Sequence, residues 1–157
     1  MDDTLKQVYW TQFGAAIDML GNAIKACPDS LWNTPQQFWY NAYHCIFYLD
    51  YYLSEPKDFL PPEPFTLSEF SESEMPPRVY SKLELLDYLD ACRKKCFDVI
   101  MALTEMSAQK HWTNEYRSYP MAEMLLYNMR HVQHHAAQLN LLLRQNNFEP
   151  PRWVSRA

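Results

Sequence analysis

Glycine occurs only twice in 157 residues, and that scarcity constrains the fold more than any other feature. Backbone that needs positive φ is easy only for glycine, so tight hairpins and glycine-rich phosphate loops are disfavoured and long helices favoured. The 11 prolines stand mostly outside the periodic segments, where they punctuate helices instead of breaking them. A chain of this length fits one compact domain spanning residues 1–157, and its 48% apolar residues are enough to fill one core.

The expected class is therefore all-α, a four-helix bundle. Helix one is expected over about Thr4 to Lys25, with Leu5, Val8, Tyr9, Phe13, Ile17, Leu20 and Ile24 at three- and four-residue steps. Cys27-Pro28-Asp29 closes it, because the residue before proline is pushed out of the helical region. Helix two is expected from a capping box at Thr34 and Gln37, with Pro35 in the first turn, to about Leu53. Its apolar residues surround the axis, interrupted only by Asn41, His44 and Asp50. A helix that is apolar all round must be covered all round. That predicts a homodimer with part of helix two at the interface, unless the following loop covers the outer face.

Residues 54–80 are Pro-rich and acidic, too long for a helical hairpin whose loop is usually about 2–8 residues. The economical reading is a crossover that leaves helices two and three parallel, packed down through Phe59, Leu60, Phe65, Leu67 and Phe70. Ser81 and Glu84 form a capping box for helix three, which extends to about Met106. The segment from Ser107 to Tyr119 reads as a loop, and helix four runs from Pro120 to about Arg144.

Net charge is −5 with no basic run, which argues against a nucleic-acid partner. No stretch is long and uncharged enough to cross a bilayer, and the acidic Met1-Asp2-Asp3-Thr4 start resembles neither a signal nor a transit peptide. A cytoplasmic protein is expected. Cys27, Cys45, Cys92 and Cys96 contain no Cys-x-x-Cys pair and read as buried thiols. Cys92 and Cys96, four apart, lack a third partner nearby for a metal.

Helix four carries the chemical signal. With His131 set at 0° on a wheel of about 100° per residue, His135 falls near 40° and Leu139 near 80°, inside the apolar wedge. His134 falls near 300°, off it. Imidazoles four apart on one helical face present their nitrogens to a common point, which is how helices chelate transition metals. His44, in the middle of an otherwise apolar helix two, is the candidate third ligand. The competing account is that each buried histidine simply bonds a carbonyl or one of the 11 tyrosine hydroxyls. His111 reads as a surface residue. No acidic general base is required by the pattern to sit beside the histidines. Glu123 faces away, Asp50 is a weak candidate for supporting a ligand, and Asn128 and Gln138 lie nearer the histidine face.

A lone histidine in helix two (Asn41-Ala42-Tyr43-His44-Cys45-Ile46), then His131-Val132-Gln133-His134-His135-Ala136-Ala137-Gln138, resembles the DinB-like family. So do the aromatic end of helix two, the Leu142-Leu143-Arg144 stretch and Pro150-Pro151-Arg152-Trp153. Family members often have Arg-Gly where this chain has Ala136-Ala137. The resemblance implies an up-down-down-up bundle, often dimeric, with a divalent metal on three histidines, here His44, His131 and His135. Zinc or nickel suits imidazole ligands best, with iron third. It also implies a metal-dependent enzyme of the thiol S-transferase or hydrolase kind acting on a small molecule, with a low-molecular-weight thiol as one substrate. The alternative is a non-catalytic module that binds a metal or small ligand.

Overall fold

The computed structural model describes residues 2–157. The chain is all-α apart from one short ribbon. Helix α1 spans Asp3–Ala26, opened by the Asp2 side chain accepting from the Thr4 amide. The apolar stripe expected on this helix is exposed at its start, at Leu5 and Val8, and buried from Trp10 onward. A one-turn helix α2, Asp29–Trp32, follows Pro28.

Helix α3 spans Phe38–Tyr52 and starts one turn later than expected. The Thr34–Gln37 capping box does not form. Gln37 is instead left-handed, at φ 53°, and donates its amide to the Thr34 carbonyl at 2.8 Å. Thr34 Oγ1 is turned back onto the Leu31 carbonyl, so it is unavailable as a cap. Asn41 Nδ2 closes the turn by donating to the carbonyls of Gln36 and Gln37.

Helix α4, Lys82–Met101, carries the expected Ser81–Glu84 capping box. It stops short of Met106 because Thr104 and Ser107 form a capping box of their own, starting the short helix α5, Glu105–Gln109. The expected loop that follows contains a hairpin, β1 His111–Thr113 against β2 Ser118–Pro120. Scarce glycine did not prevent it. Its four-residue turn is closed by the Asn114 side chain accepting from the Tyr116 and Arg117 amides, and no residue of that turn has positive φ. Helix α6 spans Met121–Gln145.

Helix α1 packs against α4 and α6, and α3 packs against the same two. One apolar cluster runs between the four long helices. Between α3 and α4, Trp39 and Tyr43 meet Tyr80, while Asp50 is held by the Tyr88 hydroxyl at 2.8 Å and Lys95 Nζ at 2.6 Å. That buried carboxylate is thus paired, as burial of a charge requires. Between α3 and α6, the fully buried Asn128 donates Nδ2 to the Leu49 carbonyl at 3.0 Å.

The connection from α3 to α4 lies over the outer face of α3. Phe65 stacks on Tyr43 and Tyr88, Phe59 meets Phe47 and Tyr51, and Phe70 meets Phe47 and Tyr51. The Tyr43 and Tyr48 hydroxyls donate to the carbonyls of Thr66 and Glu69. The loop therefore covers the face that suggested a dimer through helix two. No helix among the described residues is long and apolar enough to cross a membrane.

Candidate metal centre

His44, His131 and His135 come together where α3 crosses α6. Their rings lie 4.5 Å (His131 to His135), 5.0 Å (His44 to His135) and 5.8 Å (His44 to His131) apart, centre to centre. One nitrogen from each lies within 4.8 Å of the others. The convergence follows from local structure. His131 and His135 are one helical turn apart on the inward side of α6, and the Asn128–Leu49 bond fixes the height of α6 against α3 one turn away. His134 is exposed, as the wheel implies, and His111 is an exposed strand residue bonded to Ser118 Oγ.

Glu69 completes the arrangement. It comes from a 3₁₀ turn of the crossover, Leu67–Phe70, and its side chain is almost fully buried. One carboxylate oxygen stands 2.6 Å from His44 Nδ1. A carboxylate can only accept, so Nδ1 carries the proton and Nε2 keeps its lone pair free. The sequence pattern did not require an acid here. Glu69 lies 25 positions from His44 in a segment without periodicity; beside it Phe70 meets Phe47 and Tyr51, whereas Leu67, expected to pack down, is exposed. Asp50, expected as a weak supporting group, is committed to Tyr88 and Lys95 on the α4 side. Asn128 serves the α3–α6 contact. Gln138 is exposed and stands aside from the cluster.

Burial, reinforced by the neighbouring His135 and His44, pushes His131 down to about 3. Burial and the same kind of repulsion push His135 down to about 4. Both are therefore neutral near pH 7, the state in which imidazole can coordinate. Three buried polar atoms of the cluster lack partners among the described residues: His131 Nδ1, His135 Nδ1 and Glu69 Oε1. Nitrogens bound to one tetrahedral zinc lie roughly 3.3 Å apart, given zinc–nitrogen distances of about 2.0–2.1 Å. Ring rotations of about an ångström would gather these three, so the donor set fits a divalent ion. No other cluster of three such donors exists among the described residues, Cys92 and Cys96 included. Both thiols are buried and raised by burial.

The cluster opens on one side into a cleft of about 1090 Å³. Tyr48 and Tyr52 of α3, Tyr127 of α6, Phe70 of the crossover and Arg117 of the hairpin line it. The family model of the DinB superfamily matches residues 12–139. No curated protein matches the chain.

Proposed function

The chain belongs to the DinB superfamily, and on that footing we propose that His44, His131 and His135 hold one divalent metal ion in an enzyme acting on a small molecule. The observation that carries this reading is the meeting of three imidazoles, two of them held neutral, in the wall of an open cleft. A divalent ion on three imidazoles lowers the pKa of a thiol or water that it binds, supplying a nucleophile near neutral pH. The chain's own residues do the rest. Glu69 orients His44 and fixes its tautomer, the tyrosine walls exclude water from the cleft's inner end, and the hairpin borders its mouth.

The reaction class is thiol S-transfer or hydrolysis, with zinc or nickel the best-suited ions and iron third. A non-catalytic binding module is the second reading. It is favoured by one feature: Glu69, the carboxylate touching the cluster, is already engaged by His44. The proposed architecture is an up-down-down-up four-helix bundle. Its support is that Tyr43 meets Tyr80 while Asp50 meets Lys95, and that His44 meets His135 while Tyr52 meets Tyr127. Four free buried cysteines agree with a cytoplasmic location. A homodimer remains part of the proposal, its surface moved from α3 to the exposed Leu5, Val8 and Leu126 of α1 and α6.

Metal analysis of protein purified without an affinity tag tests the reading, followed by a screen of cellular thiols with and without metal. About one metal per chain is expected, with a thermal stabilisation by zinc or nickel that His44→Ala, His131→Ala or His135→Ala abolishes and His134→Ala leaves in place. A preparation that stays metal-free after dialysis against both ions would end the proposal. Stoichiometric metal with no turnover of any thiol would favour the binding module.

A further inference from the structure

Three arginines lie over aromatic rings, and only two of them have a carboxylate. Arg78 sits over Tyr80 and pairs with Glu84, and Arg93 sits over Trp10 and pairs with Asp18. Arg117 sits 5.2 Å over the centre of Tyr127, half-buried. Among the described residues nothing forms an ion pair with it, and its guanidinium makes no hydrogen bond; only its backbone amide and carbonyl are engaged, both by Asn114.

Its position is built, not incidental. The Asn114 side chain accepts from the Arg117 amide at 2.8 Å and donates to the Tyr51 hydroxyl at 3.2 Å. Trp112, buried one strand away, donates to the Ser54 carbonyl at 2.9 Å. The hairpin is thus clamped to the end of α3, and Arg117 lines the same cleft as the three histidines. Lys57, Glu72 and Glu115 also line the cleft but are exposed at its rim. The two rim acids would repel a polyanion, so a single compact negative charge suits the site.

We propose that Arg117 anchors the carboxylate of a small organic acid whose apolar body lies between the tyrosines and whose other end reaches the histidine cluster. The planar guanidinium receives a carboxylate through two parallel hydrogen bonds, and the aromatic walls accept an aryl or alkyl body. The far end of the ligand rests on the proposed metal site. The carboxylate subsite rests on the hairpin and cleft alone.

Nuclear magnetic resonance titrations of the full chain with 3-phenylpropionate and its neutral amide test the proposal, first with chelator and then with zinc. The acid is expected to bind at least about tenfold more tightly than the amide in chelator, as a charge-assisted pair implies. Arg117→Gln should bind both alike, while Arg117→Lys, a point charge without the fork, should keep part of the preference. Should Arg117→Gln fail to fold, Arg117→Lys decides, and an undiminished preference there overturns the proposal. Equal binding of acid and amide by the wild type, or a preference that survives Arg117→Gln, also overturns it. So does a preference that needs zinc, since the carboxylate would then sit on the metal. A preference that persists in a protein unable to take up zinc upholds the subsite and removes the metal reading.

Discussion

His131 and His135 share one inward turn of α6, where burial and neighbouring imidazoles make both hard to protonate. Both have folded pKa values far below the usual histidine value of 6.5, at about 3 and about 4. Between those values and 6.5 the unfolded chain binds protons that the folded chain refuses, so stability rises with pH across that window. The contribution is complete above about pH 6.5 and lost as pH falls through about 4, with a slope of at most about 1.4 kcal/mol per pH unit for each histidine. Denaturant titrations of metal-free protein at pH 7, 5.5 and 4 should show falling stability, and His131→Asn should flatten the decline. Glu69 acts by orientation. Glu69→Gln keeps the shape and one hydrogen bond but removes the charge that strengthens His44 as a donor. Zinc affinity, measured by competition with a chelator, should weaken on the order of tenfold; an unchanged affinity would reduce Glu69 to a structural role. The three histidines were legible because helical period alone aligns two of them and an apolar surround marks the third. Glu69 and Arg117 were not, because each reaches the cleft from a non-helical segment whose path no local pattern dictates.

The most apolar element, α3, is sealed by the segment that follows it. Phe65 lies between Tyr43 and Tyr88, joining the crossover to both α3 and α4. Phe65→Ala should cost about 3–5 kcal/mol, the usual range for a buried phenylalanine. Chemical denaturation measures it, and a loss below about 1 kcal/mol would mean the crossover is not docked. Because Glu69 sits four residues on, the same variant should also loosen His44. The long helices could be read from period, and the Ser81–Glu84 box from chemistry. The start of α3 could not, since the competing turn depends on Thr34 pointing back to Leu31 and on a left-handed Gln37. The hairpin escaped for a related reason: scarce glycine argues only against turns with positive φ, and an asparagine side chain closed this one without it.

For the whole molecule, sedimentation velocity at low micromolar concentration should give the mass of a dimer, and Val8→Glu should reduce it to a monomer. A monomeric wild type at that concentration would end the dimer proposal. The crossover has a consequence in time as well as in space. Helix α1 finds its neighbours in α4 and α6, and one of its contacts, Tyr9 with Ala122, spans 113 positions. A chain leaving the ribosome amino end first therefore keeps part of the apolar face of α1 uncovered until α6 has emerged. The ribs that α3 needs arrive sooner, since Phe59 and Phe65 follow Phe47 and Tyr43 closely in synthesis. α3 and its crossover are thus the unit able to settle early, while α1 waits for the last helix. Such long-range closure slows folding relative to a bundle of similar length whose contacts are local.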